Sequence, residues 1–87
     1  MIMGNDWLLI IDDEEDMRSG LKRMLSREFP QLGILTAGDA ESGLLTITDG
    51  SVDLVLLDVK MPGMSGIDLL KQLNSTAPWL TVIMMTG

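Results

Sequence analysis

Two uninterrupted apolar runs organise the chain. Trp7-Leu8-Leu9-Ile10-Ile11 and Leu54-Val55-Leu56-Leu57 show no polar alternation, the pattern of strands buried on both faces of a parallel sheet. The first run closes on Asp12-Asp13 and the second on Asp58. Between them the period changes. Met17, Leu21, Met24 and Leu25 share one face of a predicted helix over 14–29, and Pro30 stops it. Its acidic residues crowd the first turn and its basic ones the later turns, as the helix dipole favours. Leu-Gly-Ile-Leu-Thr over 32–36 predicts a short strand. Ala40, Gly43, Leu44 and Ile47 line a second helix over 39–48, with Asp39 as N-cap and Asp49-Gly50 as its stop. The second buried strand occupies 53–58. A loop with Pro62, Gly63 and Gly66 follows. A third helix then carries Ile67, Leu70 and Leu73, with Leu69 alongside, to about Ser75, and a fourth strand spans 80–85. Trp7 and Trp79 read as packing residues flanking strands.

The order is (βα)3β. Short connections of this kind demand parallel pairing through right-handed crossovers, with helices on both faces of the sheet. At 87 residues the chain is one domain or part of one, and a chain this size buries only about 60–65% of its unfolded surface.

Charge and composition narrow the functions. Thirteen acidic residues against 6 basic ones leave a net charge of −7. That argues against direct nucleic-acid or anionic-membrane binding and suits a cation or a basic partner. With no cysteine, disulfides and thiolate metal sites are excluded, and with no histidine, imidazole catalysis and ligation are too. No apolar run reaches the ~20 residues of a membrane span, and no signal-peptide pattern opens the chain. A cytoplasmic location is expected.

The two acid-closed strands deliver carboxylates to one sheet edge, where open α/β folds place their ligands. Clustered carboxylates repel, and a hard divalent cation relieves them; oxygen-only ligands suit Mg2+ or Mn2+. Asp13 and Asp58 are candidate direct ligands, Asp12 a direct or water-mediated one, and the Lys60 backbone carbonyl a fourth. Such a metal commonly awaits phosphate oxygens, and a carboxylate can itself be the nucleophile that forms an aspartyl phosphate. Thr86, just past the fourth strand, is placed to offer a hydroxyl to a phosphoryl oxygen. Other readings compete. Asp12 and Asp13 could cap the first helix. Asp12, Glu14 and Asp16 imitate the start of a calcium loop, but Met17 stands where that loop needs Gly and Arg23 where it needs Glu.

The segments Ile11-Asp12-Asp13-Glu14, Leu57-Asp58-Val59-Lys60-Met61-Pro62-Gly63-Met64-Ser65-Gly66 and Met85-Thr86-Gly87 resemble the receiver domain of two-component response regulators, in order and spacing. The resemblance spans residues 1–87. It implies a flavodoxin-like fold of strand order 2-1-3-4-5 and a phosphoacceptor Asp58 charged by a histidine kinase. It also implies Mg2+ on Asp12 and Asp13, and Thr86 as the residue that senses the phosphoryl group. The family continues with a fourth helix, a fifth strand ending in a Lys, and a fifth helix. This chain has no such segments, and neither Lys60 nor Lys71 replaces that Lys by position. The expectation is a truncated receiver, a switch module rather than an enzyme. Activation is expected to be impaired, and an output domain, one that binds DNA among the possibilities, lies elsewhere. Two alternatives remain at this stage. One is an aspartate-nucleophile phosphohydrolase, disfavoured because Lys60 occupies the usual position of its second acid. The other is a phosphorylation-incompetent fragment that self-associates. Leu80-Thr81-Val82-Ile83-Met84-Met85 would then be an uncovered edge, and dimers or oligomers are expected through it or through the first helix.

Overall fold

A computed structural model describes residues 6–61 and 66–85. Its elements run β1 (Trp7–Ile11), α1 (Glu15–Glu28), β2 (Gly33–Ala37), α2 (Ala40–Thr48), β3 (Leu54–Asp58), α3 (Gly66–Thr76) and β4 (Thr81–Met85). All four strands pair in parallel in the order β2-β1-β3-β4. The (βα)3β reading holds, with boundaries displaced by a residue or two.

Strand alternation divides the interior into two layers. Leu9, Ile11, Val55 and Leu57 face α2 and α3, where they meet Ala40, Ile47, Leu69 and Leu73. Leu8, Ile10, Leu32 and Ile34 form the opposite layer, against Leu21 and Leu25 of α1. The caps behave as the chain predicts. Asp39 accepts the Ser42 N–H at 2.7 Å. Gly50, at φ 87°, closes α2 in the left-handed region that glycine enters without strain. At the edge away from the acidic cluster, Asp53 clamps β1: Trp7 N–H donates to its carboxylate at 2.8 Å, and its own N–H donates to the Trp7 carbonyl at 2.9 Å.

Four packing expectations need correction. β3 is not buried on both faces: Val55 and Leu57 are, while Leu54 and Leu56 are half-buried. The reason is coverage: among the described residues, two helices pack one side of the sheet and α1 alone packs the other. An open apolar groove of about 190 Å³ remains there, lined by Leu25, Phe29, Leu54, Leu56 and Ile83 among others. The contact face of α1 is also narrower than its apolar stripe. Leu21 and Leu25 meet the sheet, while Met17 and Met24, on one flank of the stripe, are about half exposed. On α3 the buried face is Gly66, Leu69 and Leu73, and Ile67 points outward. Trp79 is 75% exposed rather than packed.

Candidate functional site

Strand pairing builds the site. β1 and β3 are neighbours, with Ile11 opposite Leu57, so the next residue on each, Asp12 and Asp58, leaves the sheet side by side. Asp13 follows in the turn to α1. One carboxylate oxygen each from Asp12, Asp13 and Asp58 lie within 4.8 Å of one another. Asp12 is 5% exposed, Asp58 half-buried and Asp13 exposed.

Backbone donors orient two of the three. The Glu14 N–H donates to Asp12 Oδ1 at 2.9 Å, and the Lys60 N–H to Asp58 Oδ1 at 3.0 Å. Each is the tight i to i+2 turn that aspartate favours where a strand ends. The helix-cap reading of Asp12 is therefore partly true: it satisfies the first donor of the turn into α1, whose own N-cap Glu14 makes no side-chain cap. That role coexists with membership of the cluster. Arg18 Nη1 donates to the Asp12 backbone carbonyl at 2.6 Å. Behind Asp58, Val59 N–H donates to the Met85 carbonyl at 3.1 Å, and Gly66 N–H to the Val59 carbonyl at 3.2 Å. The start of α3 thus presses against the end of β3. A Cβ at Gly66 would collide with the Asp58 carbonyl oxygen and lie 2.8 Å from the Val59 Cα, so only glycine fits that approach.

Burial pushes the Asp12 carboxyl above the usual carboxylate range. The Glu14 N–H opposes this, and the negative charges of Asp58 and Asp13 add to it. Three crowded carboxylates with a destabilised charge are what a hard, oxygen-seeking divalent cation relieves, so the residues fit Mg2+ or Mn2+. Thr86, Pro62 and Gly63 lie outside the described residues. Lys60 is exposed, and what it brings to Asp58 is its N–H. Sequence reasoning missed Arg18 and the space that Gly38 leaves for it. Read from 14, the helix places Arg18 just past its acidic first turn, so its position along the chain carries no signal of this contact.

The chain belongs to the response regulator receiver domain family, whose model matches residues 8–87. It is 44% identical over 80 residues to the transcriptional regulatory protein CpxR of Klebsiella pneumoniae, covering 92% of this chain and 33% of that one. It is 37% identical over 85 residues to the sporulation initiation phosphotransferase F of Bacillus subtilis, covering 98% and 67%. Among solved structures it resembles the response regulator TrrA of Thermotoga maritima, at TM-score 0.87 and 33% identity over 93% of this chain and 69% of that one. TrrA is known in complex with Mg2+-BeF and with the histidine kinase ThkA. The chain thus spans about a third of the length of CpxR. The flavodoxin-like fold read from the sequence is the fold these relatives share.

Proposed function

We propose that this chain is the phosphoacceptor unit of a two-component system, with Asp58 as the acceptor. The observation that carries the proposal is the convergence of the Asp12, Asp13 and Asp58 oxygens within 4.8 Å at the carboxyl edge of the sheet. Family membership and the TrrA complexes support it. An Asp58 carboxylate oxygen attacks the phosphorus of a kinase phosphohistidine. A C–O–P linkage forms, the N–P bond breaks, and its electron pair leaves with the imidazole nitrogen. Asp12, Asp13, Asp58 and the Lys60 backbone carbonyl would hold Mg2+ or Mn2+, which when bound would supply positive charge to neutralise the transferring group. Asp12 and Asp13 hold that ion, the Lys60 N–H fixes one Asp58 oxygen so that the other is free to react, and the Thr86 hydroxyl reads the phosphoryl group. The unit acts as a switch rather than as an enzyme, in the cytoplasm, with a histidine kinase as partner. The likeness to CpxR supports a separate output domain that regulates transcription. Self-association through β4 or α1 is part of the same proposal.

The test is stoichiometric. With acetyl phosphate and Mg2+, intact-mass spectrometry should show one phosphoryl group per chain on wild type and none on Asp58→Asn. Labelling that persists in Asp58→Asn sinks the proposal. Turnover of many equivalents of acetyl phosphate would instead make the chain a phosphohydrolase.

A further inference from the structure

Arg18 stands where helix electrostatics disfavour a cation. α1 begins at Glu15, so Arg18 ends its first turn, near the positive pole of the helix dipole. Its side chain nevertheless runs back to the sheet edge, where Nη1 reaches the Asp12 carbonyl. That carbonyl sits where the ladder stops. The β1–β2 register pairs Ile11 with Ala37, and the Asp12 N–H still donates to the Ala37 carbonyl at 3.1 Å. β2 then ends, and Asp39 turns away to cap α2. The guanidinium supplies the donor that a continued β2 would have supplied. Gly38 makes room for it: a Cβ there would sit 3.2 Å from Arg18 Nη1 and 3.5 Å from Cζ. Gly38 does not have positive φ, so glycine contributes space here, not backbone freedom.

We propose that Arg18 is a positioning residue for the acidic cluster. It latches the Asp12 peptide between β1 and α1, and so holds the Asp12 and Asp13 carboxylates where they meet Asp58. This rests on reading the cluster as a divalent-cation site. Two effects of Arg18 oppose each other. As a charge it repels a bound cation, so its removal would tighten binding. As a latch it directs two of the three carboxylates, and residues that orient metal ligands are typically worth about 10–100-fold in affinity. Geometry decides between them. The guanidinium lies against Asp12 O and Gly38, on the β2 side of β1, whereas Asp58 lies on the β3 side. Within this proposal the latch outweighs the repulsion, and the sign of the affinity change in the variants reads which effect prevails.

The test titrates Mg2+ by calorimetry, and Mn2+ by electron paramagnetic resonance, into the full chain. Wild type is compared with Arg18→Met, Arg18→Lys and Gly38→Val, with circular dichroism and melting curves run alongside. Arg18→Met and Arg18→Lys should each weaken binding about tenfold. Gly38→Val keeps the charge but crowds the guanidinium out, and should weaken binding as well. Should Arg18→Met fail to fold, Arg18→Lys and Gly38→Val carry the same test. Folded variants that bind as tightly as wild type, or more tightly, overturn the inference and leave the cation site standing. A wild-type chain that binds neither ion overturns both.

Discussion

Asp12 combines a buried carboxylate, two acidic neighbours and, among the described residues, a single backbone donor, so its charge is held at a cost without a bound cation. Its folded pKa is raised, so the folded state binds that proton more tightly than the unfolded chain does. Stability from this group is therefore greatest with Asp12 protonated and falls as pH rises through the folded value. At pH 7 without metal, Asp12→Asn should stabilise the protein, since an amide oxygen can still accept the Glu14 N–H. Relief of one like-charge contact at this edge is on the order of 1 kcal/mol. The gain should shrink as pH falls through the raised folded value and be gone below 3.8, where the unfolded chain too is protonated. Added Mg2+ should reverse the order, raising the melting temperature of wild type more than that of the variant. A metal-free Asp12→Asn that melts below wild type at pH 7 would contradict this account. Gly66 poses the opposite problem, one of space. Gly66→Ala should cost about 1–3 kcal/mol in urea unfolding, because backbone rather than a flexible side chain lies in the way of the new Cβ. It should also disturb the Asp58 backbone and lower Mg2+ affinity.

At the scale of elements, α2 shows how a local signal survives in the fold. Asp39 was legible as an N-cap because its oxygen needs only the N–H three residues on, and the structure has that bond. The Ser42 N–H holds the Asp39 carboxyl below its ordinary range. Its folded pKa is depressed, so its contribution is present above pH 3.8 and is lost as pH falls through the lower folded value. Asp39→Asn should keep α2 capped at neutral pH and flatten that part of the acid-unfolding curve, as followed by circular dichroism. An unchanged acid limb would show that the cap is not ionically strengthened. α1 and α3 were legible as helices but not as oriented helices. Periodicity marked a wide apolar stripe on each, and packing chose Leu21 and Leu25 on one and Leu69 and Leu73 on the other. Which part of a stripe touches the sheet depends on where the helix sits over the strands, and sequence spacing does not carry that.

At the scale of the molecule, coverage of the sheet is uneven. α2 and α3 pack one face, and α1 leaves Leu54, Leu56 and Ile83 bordering an apolar groove on the other. Among the described residues, β4 pairs on one side, with β3, and Ile83 is 48% exposed. An apolar strand with a free side is a template for another strand, and a charge on it discourages pairing. If the proposed self-association runs through this edge, light scattering of wild type at micromolar concentration should give a mass above the 9.5 kDa monomer. Ile83→Lys should then return it to that monomer. A wild-type monomer across the same range removes the self-association proposal without touching the acidic site. No described helix is long and apolar enough to cross a membrane.

The sequence by itself determined the alternation of strands and helices, the parallel sheet, and the three aspartates at strand ends. Those features follow from short-range rules: unbroken apolar runs, helical periodicity, caps, and acids placed next to both. Only the tertiary structure decided how the acids meet. Register sets Asp12 beside Asp58 because Ile11 pairs with Leu57, and no spacing along the chain encodes a partner 46 residues away. The same holds for the Arg18 latch on the Asp12 carbonyl, which needs β2 to end at Ala37 and Gly38 to leave a gap. Pairing and close approach arise between distant segments once the sheet has formed, and that is where this site acquires its geometry.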